Sequence, residues 1–270
     1  MPATGCRSGS NGVRPDPCLP CHQGPAACRF DSGRIPVVRA KPRRSPFVSL
    51  GRPACTRICL MSVRSAAQQG GARSGRLLVV RPLDSRDVDQ AVAEMVRVLT
   101  PHESADWRRP AGALDWSCWE TAAHVAHDLL AYAGQLAALP DSAYLPFDLV
   151  VRDDASPRDL LRIATGAGRL LSTALAASGP SLRAWHWGPT DPSGFAALGV
   201  NETLVHTHDI TQGLGIRWHP PESLCSAVLA RLFPNAPDGD PVQGLLWATG
   251  RTDLPGHPRL TSWISKAAVG

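Results

Sequence analysis

The chain has no long hydrophobic run. No uninterrupted apolar stretch approaches the roughly 20 residues that a membrane-spanning helix needs, although 43% of the 270 residues are hydrophobic. That apolar share suits a soluble globular protein. The basic residues near the N-terminus are not followed by a compact apolar stretch ending in small residues, so no secretory signal is expected. Together these two absences predict a cytoplasmic protein that makes no use of a membrane. Strand-like alternation is almost missing as well, and no internal repeat is visible, which argues against a β-rich or solenoid architecture.

Other scarcities are regional. Residues 1–76 hold 13 Lys and Arg but only two acids, Asp16 and Asp31, a balance of +11. The remaining 15 basic and 21 acidic residues give residues 77–270 a balance of −6, so the basic character of the whole belongs to the head of the chain. That head has no tryptophan: all eight lie after residue 100. Cysteine runs the other way, with Cys6, Cys18, Cys21, Cys28, Cys55 and Cys59 in the head and only Cys118 and Cys225 in the body.

Two patterns in the head suggest chemistry. The run Cys18–His22, CLPCH, has the spacing of a c-type haem attachment site. Cys18-x2-Cys21 and Cys55-x3-Cys59 offer four thiolates to zinc, across a gap of 33 residues. Haem attachment normally needs export, and the gap lacks periodicity. Nine prolines among many Gly, Arg and Ser residues fit a disordered segment better. The head is therefore expected to be a disordered basic extension over 1–76, with Met61 a candidate for the true start. A nucleic-acid-binding arm is the rival reading. It is disfavoured by the acidic body and by the lack of aromatics beyond two phenylalanines to interleave with the arginines.

From about residue 80 the sequence reads as helices. In PLDSRDVDQAVAEMVRVLTP, Asp84 or Ser85 is the N-cap, Val88, Ala91, Val92, Met95, Val98 and Leu99 recur at helical spacing, and Pro101 ends the run. In DWSCWETAAHVAHDLLAYAGQLAALP, Ser117 and Glu120 form a capping box. Ala122, Val125, Leu129, Ala133 and Leu136 make an apolar stripe, and Pro140 is the stop. Ser156 and Asp191 cap two further helices with proline next to each cap, ending at Gly179-Pro180 and at Gly213 or Gly215. A run from Glu222 to Phe233 lacks a capping side chain, and Asp240 starts a last short helix. Four amphipathic helices of similar length predict an all-α bundle over 77–215, with a short helical extension over 216–270.

The segment NETLVHTHDI, Asn201–Ile210, concentrates metal-ligating side chains. Glu202 and His206 are four apart, so a carboxylate and an imidazole share one helix face and can meet on one ion. A third ligand must come from another helix. His124 and His127 in the second helix are both candidates, since three residues apart they lean to roughly the same side. His124 lies away from the stripe assigned to the core. The plain alternative is a solvated polar face with no ion. Asp209 fits an acceptor for a ligand histidine better than a ligand.

Two separated segments resemble the mycothiol-dependent maleylpyruvate isomerase family, part of the DinB-like superfamily of metal-binding four-helix bundles. LDWSCWETAAHVAHDLL resembles the family's second-helix motif, with Trp116 eight residues before His124. GVNETLVHTHDI resembles its fourth-helix motif, a Glu-x-x-x-His followed shortly by Asp. The resemblance covers about residues 80–215, and LLWATGRTDLPGHPRL, Leu245–Leu260, also resembles tails found in the family. It implies a divalent metal, usually zinc, held by His124, Glu202 and His206, and so selects His124 over His127. The family's characterised isomerases carry a larger C-terminal domain that supplies an arginine to the substrate site. Here only 55 residues follow Gly215, and Arg217, Arg251 and Arg259 are not assigned to that role.

By the same resemblance the metal activates mycothiol as a thiolate. The thiolate then adds reversibly to a cis double bond, as in an isomerase, or attacks a small electrophile and stays attached, as in an S-transferase. A protein thiol is a weaker candidate. Cys118 sits in a first helical turn, where the dipole lowers a thiol pKa, but a buried cysteine more often packs as a small apolar group. His186 and Trp187, just ahead of the fourth helix, line the pocket mouth or, as we read them, belong to a packed loop. The competing class of function is a non-catalytic metal-binding bundle that serves as a binding module.

Overall fold

The computed structural model describes residues 81–269. The expectations for the head, namely disorder over 1–76, a haem or zinc site on its cysteines and a start at Met61, lie outside the described residues.

Six helices dominate: α1 (Ser85–Leu99), α2 (Cys118–Ala138), α3 (Pro157–Ala177), α4 (Pro192–Leu214), α5 (Glu222–Leu232) and α6 (Pro241–Ala248). A 3-10 turn, Thr100–His102, follows α1. Two short strands, β1 (Ala184–Trp185) and β2 (Pro189–Thr190), pair antiparallel with Ala184 opposite Thr190. The architecture is all-α, as the periodicity predicts.

The helix starts follow from their caps. Asp84, not Ser85, is the N-cap of α1, and it forms a reciprocal box with Asp87. Ser117 and Glu120 form the expected box, and Ser156 does the same with Asp159. Asp191 accepts from the backbone N–H of Gly194, and Asp240 from that of Gln243. Pro221 precedes α5 without a side-chain cap. Each such cap stabilises its helix by about 1 kcal/mol. At the far ends, Gly215 takes the left-handed conformation that closes α4, with φ 69°. Leu139 does the same for α2, φ 55°, one residue ahead of Pro140.

In the bundle α2 packs on α3 and α4, and α1 packs on the same two, so α1 and α2 stand at opposite corners. The six apolar positions singled out in α1 are all buried, and so is the stripe chosen in α2. The buried face of α2 is wider than that stripe, for it also takes in Thr121, Ala126, Tyr132 and Gln135. Helix α4 is the hub. It touches α1, α2, α3 and α5 and is buried on nearly every side. Close approach there depends on Gly199: a Cβ at that position would come within 2.6 Å of Leu171 and 3.3 Å of Leu129.

Buried polar side chains fix the connections. The Gln135 amide donates to the carbonyls of Trp185 (2.7 Å) and Ala143 (3.2 Å) and accepts from the Leu145 N–H (3.0 Å). It thus joins α2 to the following loop and to the hairpin. Beyond α4, Arg231 of α5 donates to Asp191 (3.0 Å), to the Lys266 carbonyl (2.8 Å) and to the Ala267 carbonyl (2.6 Å). The final segment is thereby tied to the start of α4. Among the described residues no helix is long and apolar enough to cross a membrane.

Candidate metal centre

Helices α2 and α4 bring their polar residues together at one seam. The Ser117–Glu120 box sets the start of α2 and therefore the direction of His124, two turns in. On α4, Glu202 and His206 project from one face. The Glu202 Oε2 lies 3.3 Å from Nε2 of His206 and 3.8 Å from Nε2 of His124. The donor atoms of all three lie within 4.8 Å of one another. Tetrahedral zinc with bonds of ~2.1 Å needs donors about 3.4 Å apart, so the spacing already approaches that of a ligand set. His124 does lie away from the α2 stripe, and the wide buried face of that helix explains how it still meets α4.

A second cluster shares His124. Its Nε2 is 3.5 Å from Asp128 Oδ2, and His124, His127 and Asp128 also have donor atoms within 4.8 Å of one another. His127 is turned the other way, with Nδ1 3.0 Å from Asp128 and Nε2 3.3 Å from the exposed Asp148. Tyr132 donates to Asp128 at 3.4 Å. Periodicity alone leaves His124 and His127 open. The structure separates them, since only His124 reaches Glu202 and His206.

Charge and burial act strongly on this seam. Burial alone would raise the Glu202 carboxyl, but His124 and His206 outweigh it and hold the group well below its ordinary range. Burial likewise opposes a charged His206, yet hydrogen bonds to Asp209 and Glu202 raise its imidazole to about 9. The Nδ1 of His206 is 2.9 Å from Asp209 Oδ2. That contact leaves Nε2 directed at Glu202 and matches the acceptor role expected of Asp209. In Asp209 burial is outweighed by the charge of Arg251 and the hydrogen bond from His206, and the carboxyl stays low. The Arg251 guanidinium donates to both Asp209 oxygens, at 2.7 and 3.2 Å. Burial lowers His208, which follows on the same helix.

The Trp116 ring, just ahead of the α2 cap, covers the seam. Its centroid is 4.8 Å from that of His124 and 6.3 Å from that of His206. The side chains of His124 and Glu202 retain 16% and 14% exposure, so the cluster is not sealed from solvent.

Residues 86–211 match the model of the mycothiol maleylpyruvate isomerase N-terminal domain. The match spans nearly all of the bundle formed by α1 to α4. No curated protein and no solved structure matches the chain. The matched region runs from the start of α1 into the last turn of α4 and contains every residue of both clusters. Arg251 lies outside it.

Cys118 is fully buried, and burial raises its thiol to about 11. Its Sγ sits near the carbonyls of Pro110 (3.9 Å) and Ile210 (3.8 Å), as a packing residue would. His186 is buried with its ring against Tyr132, Tyr144 and Phe195, as in a packed loop, while Trp187 at the hairpin tip is half-exposed. Sequence reasoning passed over Asp128, although His124-x3-Asp128 on α2 mirrors Glu202-x3-His206 on α4. It also left Arg251 unassigned.

Proposed function

We propose that His124, Glu202 and His206 hold one divalent ion, zinc, and that the protein uses it with mycothiol as an isomerase of the maleylpyruvate type or as a thiol S-transferase. One observation carries the reading: three donor atoms from two helices converge at near-ligand spacing inside the region that matches this family. The donor chemistry fits. Two imidazoles and a carboxylate, not sealed from solvent, form the three-ligand set of a catalytic zinc site. Such an ion, when bound, supplies the positive charge that favours the thiolate of a nearby thiol.

The chain's own residues prepare that chemistry. Asp209 accepts from Nδ1 of His206 and so keeps its Nε2 lone pair available. Trp116 shields the imidazoles from water on one side, while the exposed edges of His124 and Glu202 keep the cluster in contact with solvent. In the isomerase reading, the thiol sulfur forms a bond to one carbon of a cis double bond. The remaining single bond rotates, and the same sulfur–carbon bond breaks to leave the trans alkene and the thiol. In the transferase reading the sulfur instead bonds to an electrophilic carbon that bears a leaving group, that bond stays, and the leaving group departs with its electron pair. Both need a reduced thiol, so a reducing cytoplasmic compartment is part of the proposal.

The first test is elemental analysis of the full chain purified without chelator, beside His124→Ala and Glu202→Ala. About one zinc per parent chain and little in either variant supports the site. Mycothiol with a maleyl-type acid and with a general electrophile then separates isomerase from transferase. Metal without thiol chemistry on either would favour a non-catalytic binding module, and a parent that takes up no supplied zinc would overturn the metal reading.

A further inference from the structure

Arg251 joins the C-terminal segment to the seam between α2 and α4. It follows α6, outside the matched domain, yet its side chain is only 11% exposed and meets Asp209, which is 5% exposed. The contact is a two-pronged fork, with NH2 to Oδ2 at 2.7 Å and Nε to Oδ1 at 3.2 Å. A third nitrogen, NH1, donates to the Thr249 carbonyl at 2.6 Å, and the guanidinium lies 5.4 Å from the Trp263 ring centroid. The group is held from three directions, and both carboxylate oxygens of Asp209 are engaged. One of those oxygens, Oδ2, also accepts from His206 Nδ1.

We propose that Arg251 is a positioning residue for the metal centre, acting through Asp209 to fix the ring of His206. The inference rests on the metal reading above. A bidentate guanidinium fixes the plane of a carboxylate as well as its charge, and a carboxylate so held constrains the imidazole that donates to it. Three of the five guanidinium N–H groups of Arg251 go to Asp209 and Thr249, which makes it a support for the site. The C-terminal segment therefore completes the centre and does not merely follow it.

The test compares the parent with Arg251→Met, Arg251→Lys, Asp209→Asn and the double variant Arg251→Met/Asp209→Asn, all as full chains. Zinc affinity is read by competition with a chromophoric chelator, and ligand geometry from the visible spectrum after cobalt substitution. Arg251→Met should weaken zinc about 10- to 100-fold and shift the cobalt spectrum, and Arg251→Lys should recover part of both. If Arg251 acts through Asp209, the double variant should bind zinc no more weakly than Asp209→Asn alone. A purely structural Arg251 would lower the melting temperature and leave zinc affinity and the cobalt spectrum unchanged in the folded Arg251→Lys protein. That result would overturn this inference while leaving the metal reading intact. Absence of zinc from the parent would overturn both.

Discussion

The Nδ1 atom of His206 lies 2.9 Å from a carboxylate oxygen of Asp209, one turn further along α4. Both side chains are buried, and Arg251 donates to the same oxygen at 2.7 Å and to the second oxygen at 3.2 Å. A buried charge with its partner removed is strongly destabilising, by roughly 3–5 kcal/mol. Asp209→Asn keeps the shape but removes the charge that Arg251 faces. We expect a loss of stability towards the lower end of that range, since the asparagine oxygen still accepts one hydrogen bond. Urea unfolding of the metal-free protein measures it. An unchanged midpoint would show that the pair carries little of the fold.

The two clusters that share His124 make opposite predictions for zinc. His206→Ala removes a donor 3.3 Å from Glu202 and should abolish zinc retention. His127→Ala removes a ring turned towards Asp128 and Asp148 and should leave zinc near one per chain. The converse pattern, with zinc lost from His127→Ala and kept by His206→Ala, would move the ion to the cluster on α2.

How legible this was in the sequence depended on range. The starts of α1, α2, α3, α4 and α6 are local events, decided by a side chain and the N–H groups two or three residues on, so Ser117, Ser156, Asp191 and Asp240 could be read directly. The Glu202/His206 pair is equally local. The choice between His124 and His127 is not, because it turns on which flank of α2 faces α4. Only the family resemblance pointed to His124 beforehand. Arg251 was out of reach, since its partner is 42 residues away and its segment carries no periodicity that ties it to α4. The hairpin was missed for a different reason: strands of two residues are too short to show alternation.

Cys118 and Cys225 should be poor nucleophiles in the folded protein. Both are fully buried, and burial raises their thiols to about 11 and about 12 from the ordinary 9.0. A group whose folded pKa exceeds its unfolded value favours the fold below the unfolded value. That contribution is lost as pH rises through the window between the two, because the unfolded chain gives up its proton first. Stability should therefore fall between about pH 9 and pH 12. Cys118→Ala should shrink that fall by removing one of the two thiols. Iodoacetamide labelling at pH 8, mapped by peptide mass, should spare both sites until urea is added. Rapid native labelling of Cys118 would revive it as a reactive thiol beside the metal centre.

Gly213 sits in the last turn of α4, where the loop ahead of α2 crosses closest. A Cβ there would come within 2.7 Å of Cys118 Sγ and 3.0 Å of Ala111 Cα, and it would press on the Pro110 carbonyl. Two of these neighbours are backbone atoms of a segment held by hydrogen bonds from Ala111 to Trp116 (2.8 Å) and from Cys118 to Arg109 (2.9 Å). They cannot swing aside as a side chain would. In an open helix, alanine in place of glycine stabilises by roughly 1 kcal/mol. Here the sign should reverse, with overpacking costing about 1–3 kcal/mol. Because the displaced segment carries Trp116, Gly213→Ala should also disturb the cover over His124. Thermal unfolding gives the first effect, and quenching of Trp116 fluorescence, isolated in a background with the other tryptophans replaced by phenylalanine where tolerated, gives the second. A more stable Gly213→Ala protein would mean that the loop yields at this crossing.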